Sequence, residues 1–194
     1  MKSLNLAKPH LIVIVGVPGS GKTFFASQFS HTFNAPYLCT SDLLQFSNDE
    51  RVLNGLWDFM LDKILQTKQT LLIEGTGAAI SERRQLSERA RNYGYQPLFV
   101  WVQTEPATAK QRATHGTTRL SVHEFNEHAS QFQPLQASEP YMVISGKHTY
   151  ASQAKNVLKK LVEPRIKSTR ITPKQRPHAP NATPSTGRGR IMIN

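Results

Sequence analysis

The sequence has one cysteine, Cys39, in 194 residues. That excludes an internal disulfide framework and a zinc site built on several thiolates, and it fits a reducing, cytoplasmic compartment. No apolar stretch approaches the roughly 20 residues that a membrane-spanning helix needs. The longest early run, residues 11–15, is also too short for the apolar part of a secretory signal, and no small-residue cleavage site follows it. Acidic residues are scarce as well, 13 against 24 Lys and Arg, and residues 164–194 contain none.

That last shortage divides the chain. Residues 164–194 hold seven basic residues (Arg165, Lys167, Arg170, Lys174, Arg176, Arg188, Arg190) and five of the twelve prolines, with few large apolar side chains. The other 17 basic residues stand against 13 acids, so most of the net charge of +11 belongs to the C-terminal segment. Such a segment cannot bury enough apolar surface to offset the entropy of ordering it, and it reads as a disordered basic tail. Residues 1–163 read as one folded domain.

Within that domain short apolar runs alternate with longer amphipathic ones, the pattern of an α/β protein with a parallel sheet. Strands are expected at 10–15, 36–40, 70–74, 97–103 and 141–145. Helices are expected at 21–33, after Ser47-Asn48-Asp49-Glu50, at 81–93, from 105 to about 114, from a capping box at 121–124 to about 132, and at 150–162. The helix after Glu50 would place Val52, Leu53, Leu56, Trp57, Met60, Leu61, Ile64 and Leu65 on one face. The helix at 81–93 looks exposed and charged, with Gly94 as its C-terminal stop. Five parallel strands with helices between them predict a three-layer sandwich.

One motif is specific. Gly16-Val17-Pro18-Gly19-Ser20-Gly21-Lys22-Thr23 fits G-x-x-x-x-G-K-[ST] in full, between a buried strand and a helix. Glycines let successive backbone N–H groups turn toward phosphate oxygens, and the helix that follows offers its positive end to the same anion. Lys22 supplies a mobile point charge for the β- and γ-phosphates. The Thr23 hydroxyl is a candidate Mg²⁺ ligand.

A phosphate loop alone does not separate a kinase from a hydrolase or a switch, so the other strand ends must decide. The second strand runs into Thr40-Ser41-Asp42, where Asp42 could take the proton of an acceptor hydroxyl or merely cap the next turn. The third ends in Glu74-Gly75-Thr76; Glu74 could serve Mg²⁺ through water, bind an acceptor hydroxyl, or face solvent. Arg112 and Arg119 flank Thr114-His115-Gly116-Thr117-Thr118, a candidate lid whose guanidinium groups could stabilise a transferring phosphoryl group. Arg83 and Arg84 could reach an anionic acceptor or simply lie on the surface. His115, His123 and His128 have no metal-ligand spacing on a common face and receive no role. Cys39, inside a strand, reads as packing.

These residues resemble the small P-loop kinases. GVPGSGKT, the acid in Thr40-Ser41-Asp42, Glu74-Gly75-Thr76, the stretch 81–95, the stretch 102–112, and the helix ending Gln131-Phe132-Gln133-Pro134 carry the likeness across about 10–162. The sequence is similar in particular to the polynucleotide-kinase-type and zeta-toxin-type phosphotransferases. The resemblance implies that Lys22 and Thr23 hold ATP and Mg²⁺, Asp42 is the general base, Glu74 sits where zeta-type proteins bind the acceptor, and Arg112 and Arg119 are lid arginines. Two departures stand out. The lid has fewer arginines than in relatives, and Leu43-Leu44-Gln45 follow Asp42 where an arginine is common.

Two functions are then expected to compete. The first is an ATP-dependent phosphotransferase acting on a hydroxyl of a small-molecule or nucleotide/nucleic-acid acceptor, with Asp42, Glu74 and Arg84 in the acceptor site. The second is a nucleic-acid-associated ATPase or nucleotide-gated binding module whose basic tail neutralises phosphates. That tail carries no aromatic residue on which a base could stack.

Overall fold

The computed structural model describes residues 6–116 and 119–163. Five strands form one parallel sheet: β1 (His10–Val15), β2 (Tyr37–Cys39), β3 (Leu71–Glu74), β4 (Gln96–Gln103) and β5 (Tyr141–Ser145), in the order β2-β3-β1-β4-β5. Successive strands are joined through helices, as parallel pairing demands. These are α1 (Lys22–Phe33), α2 (Glu50–Gln66), α3 (Ile80–Asn92), α4 (Pro106–His115), α5 (Val122–Gln131) and α6 (Tyr150–Val162). A short 3-10 helix, Thr40–Gln45, leads from β2 toward α2.

The three layers follow from the alternation of side chains along β1. Ile12 and Ile14 face one way, into a core with Phe25, Ala26 and Phe29 of α1 and Val157 and Leu161 of α6. Leu11, Val13 and Val15 face the other way, against Leu61 and Leu65 of α2 and Leu86 and Ala90 of α3. Residues 11–14 have no exposed surface, so the strand is apolar on both sides because both sides are covered. α4 and α5 pack together through Ala109, Ala113 and Phe125, with Val17 of the glycine loop against them. The β1–α1 loop therefore opens between β3 and β4, where the strand order reverses, and ligands of doubly wound sheets collect at such a point.

The expected element order is found, with four local differences. Helix α2 is capped by Asp49, whose side chain accepts from the Arg51 backbone N–H, and Ser47 bonds the Asp49 N–H instead of forming the expected capping box. Val52 lies at the exposed start of α2, 47% accessible, outside the packed face that Leu61 and Leu65 define. Helix α3 is not wholly exposed, because Arg83, Leu86, Ser87 and Ala90 are buried. Strand β2 is three residues long, since the chain turns into the 3-10 helix at Thr40. The second capping box is present as expected, with Ser121 and Glu124 bonding reciprocally. Gly94 closes α3 with a φ of 77°. Among the described residues no helix is long and apolar enough to cross a membrane. The expectation of a disordered tail at 164–194 lies outside the described residues.

Candidate active site

The glycine loop is held in a curl by its own groups. The Ser20 N–H donates to the Val17 carbonyl at 3.2 Å, and Lys22 Nζ donates to the same oxygen at 3.0 Å. Gly19 has a φ of 74°, and a Cβ there would run into the Ala109 carbonyl of α4. Only glycine lets the loop lie so close to that helix in that conformation. The Thr104 hydroxyl donates to the Ser20 carbonyl, tying the loop to the end of β4.

Two observations test whether this loop fits a triphosphate. Ser20 Oγ is buried and has no hydrogen-bond partner among the described residues, an arrangement that calls for an external group. Lys22 is turned back onto a backbone carbonyl. Burial pushes its ammonium below the ordinary lysine pKa, and the negative charge of Glu74 only partly opposes this. A bound phosphate would give the Lys22 ammonium a counter-charge in place of that carbonyl, so the loop fits ATP.

Glu74 ends β3 and is buried, 5% accessible. It does not face solvent. Its Oε1 accepts from Thr23 Oγ1 at 2.7 Å and its Oε2 from the Tyr37 hydroxyl at 2.7 Å. Burial first, and then the carboxylate of Glu74, push the Tyr37 phenol well above its ordinary range, so Tyr37 is a proton donor at any working pH. The carboxylate is thus fixed at both oxygens, one of them beside the hydroxyl expected to meet Mg²⁺. Thr23 and Glu74 are the residues that would hold the ion, Glu74 through water.

Asp42 lies in the first turn of the 3-10 helix and is exposed. The following helix α2 is capped by Asp49, so Asp42 is not its cap. The Thr40 hydroxyl bonds the Gly75 carbonyl and holds the start of this turn against the end of β3.

The arginines separate. Arg83 is 1% accessible: its Nε bonds Glu139 Oε1 at 2.6 Å, and its other nitrogens bond Glu139 Oε2 and the carbonyls of Gly77, Ala78 and Pro134. It is a buried clamp between β3's loop and the segment before β5. Arg84 is exposed and pairs with Glu88 one helical turn on, away from the cavities described below. Arg112, on α4, reaches the Gly146 carbonyl at 3.3 Å. Arg119 is exposed, and Thr117 and Thr118 of the expected lid lie outside the described residues.

Two cavities open at the carboxyl ends of the strands. The larger, about 510 Å³, is mostly apolar and runs from Val17 past Trp101 and Phe125 to Lys147. The smaller, about 280 Å³, is the one that Lys22 lines, together with Gly16, Gly75, Thr76, His128 and Gln131. The smaller one is the candidate site, because the lysine of the glycine loop opens into it. Sequence reasoning missed Tyr37 and His128. A phenol in a short strand carries no signal of its own, and His128 has no metal-ligand spacing to single it out. The spacing of His128, Gln131 and Phe132 at i, i+3 and i+4 was the available clue that they share a face.

Comparisons with known proteins bear on the family and the fold. The AAA domain family matches residues 11–135. A gluconokinase from Sinorhizobium meliloti superposes with a TM-score of 0.61 at 16% identity, covering 79% of this chain and 91% of that one. A sugar kinase from Janibacter sp. superposes with a TM-score of 0.59 at 15% identity, covering 79% and 94%. No protein of curated function matches the sequence. The chain belongs to the AAA domain family and has the fold of the small P-loop kinases, as the resemblance implied.

Proposed function

We propose that the chain is an ATP-dependent phosphotransferase that moves the γ-phosphoryl group of ATP to a hydroxyl of a small acceptor. The observation that carries the reading is the pairing of Thr23 Oγ1 with the buried, doubly bonded Glu74, beside a lysine that opens into a small cavity. The kinases among the similar folds are consistent with it.

In this reading the acceptor oxygen forms a bond to the γ-phosphorus while the bond to the β,γ-bridging oxygen breaks, and ADP departs with that electron pair. The hydroxyl proton passes to the Asp42 carboxylate. Lys22 offsets charge on the phosphate oxygens, and loop N–H groups orient them. Thr23, and Glu74 through water, would hold Mg²⁺, which would supply further charge neutralisation. Arg112 and Arg119 act from the lid.

The test is acceptor-dependent ADP release with polyols, sugars, nucleosides and 5′-hydroxyl oligonucleotides, in wild type and Asp42→Asn. Loss of about 100-fold or more in kcat with ATP binding intact supports the base assignment. Equal turnover would remove it. The competing nucleic-acid reading draws on residues 164–194, and no feature of the described residues favours it.

A further inference from the structure

We infer that the acceptor is a compact, uncharged alcohol held by His128 and Gln131 of α5; this deepens the phosphotransferase reading and rests on it. Among the described residues four side chains that can hydrogen-bond line the cavity beside Lys22, namely Lys22, Thr76, His128 and Gln131; Asp42 stands outside this lining, so the reacting hydroxyl must extend beyond it toward that carboxylate. Lys22 is committed to nucleotide phosphate. The remaining three are a hydroxyl, an imidazole and an amide, which pair naturally with hydroxyl groups. The rest of the wall is apolar, with Val15, Leu120 and Phe132 among it.

An anionic acceptor needs a counter-charge when it leaves water, most often a guanidinium fork. Among the described residues no arginine lines this cavity. Arg83 is spent on Glu139 and three carbonyls. Arg84 is exposed beside Glu88, and neither it nor Arg112 is among the lining residues. Arg119 is exposed and is not among the lining residues. A volume near 280 Å³ suits a molecule between a sugar and a nucleoside, not a nucleic-acid strand.

The experiment pairs neutral and charged acceptors of one skeleton: glucitol with gluconate, glycerol with glycerate, and a nucleoside with its 5′-monophosphate. Transfer is read from γ-labelled ATP, and ATP–Mg²⁺ binding is measured separately by calorimetry. The inference expects neutral members to be favoured by about 10-fold or more in kcat/KM. His128→Ala should raise the acceptor KM about 10-fold with the ATP KM unchanged, His128→Gln should restore part of it, and His128→Arg should shift preference toward the charged member. A preference for charged acceptors, or no transfer to any neutral one while ATP–Mg²⁺ still binds, overturns the inference and leaves the nucleotide site standing. Failure of ATP–Mg²⁺ to bind would instead remove the phosphotransferase reading beneath it.

Discussion

The Tyr37 hydroxyl donates to Glu74 Oε2 at 2.7 Å, so a side chain from the short edge strand fixes the acid that also meets Thr23. Three elements, β2, β3 and α1, converge on one carboxylate. Tyr37→Phe removes one bond to a charged acceptor, an interaction worth about 1.5–3 kcal/mol. The expected outcome is a rise of about 10-fold in the Mg²⁺ concentration needed for half-maximal turnover, with a smaller change in saturated kcat. A magnesium titration at fixed ATP checks it; an unchanged midpoint would mean that Thr23 alone holds Glu74.

Burial holds the Lys22 pKa below its ordinary value, and the charge of Glu74 opposes this only in part. A lysine whose folded pKa lies below its unfolded one costs stability at neutral pH, and the cost fades as pH rises through the folded value. Lys22→Met should therefore leave the melting temperature of the nucleotide-free protein unchanged or raise it. The same variant should lose the upward shift that ATP–Mg²⁺ gives wild type and reduce turnover by about 100-fold or more. Thermal melts with and without ATP separate the two effects, and a large fall in the melting temperature without ATP would contradict the account of the lysine.

The ion pair between Arg83 and Glu139 predicts an acid-sensitive fold. Burial raises the Glu139 pKa, but the Arg83 hydrogen bond, the Gln136 N–H and the Arg83 charge outweigh it and hold the carboxyl below its usual value. Its stabilisation is present above the unfolded pKa, about 4.3, and is lost as pH falls through the lower folded value. Glu139→Gln should melt below wild type at pH 7, with the gap closing below about pH 4. Glu139→Ala leaves a buried guanidinium without its partner and should cost about 3 kcal/mol.

Much of this was legible in the sequence, and the reasons are local. The phosphate loop needs no tertiary context to be read, because its glycines, lysine and threonine lie in one unbroken run between a strand and a helix. β1, β5 and α6 were bounded as found, since their patterns are long and regular enough to show the period. Arg83 could not be told from Arg84 by pattern, because what buries it is Glu139, 56 positions away. The site contributions of Tyr37 and His128 have the same cause: each depends on where a distant strand or helix arrives. The cap at Asp49 was missed because Ser47, two residues earlier, fits the capping-box spacing equally well.

Gly19 offers a test of the loop's packing. Its φ of 74° and the Ala109 carbonyl beside it leave no place for a methyl group. Gly19→Ala should lower stability by about 2–4 kcal/mol and weaken ATP binding together, because the loop can relieve the clash only by leaving α4. Denaturant unfolding and nucleotide titration on one preparation check it. A variant as stable as wild type would contradict the packing described.

The most direct measurement is a calorimetric titration of ATP with Mg²⁺ into the full chain, beside Lys22→Ala. The account predicts saturable uptake of one nucleotide per chain, lost in the variant. No heat of binding in wild type, for ATP and GTP alike, would contradict it.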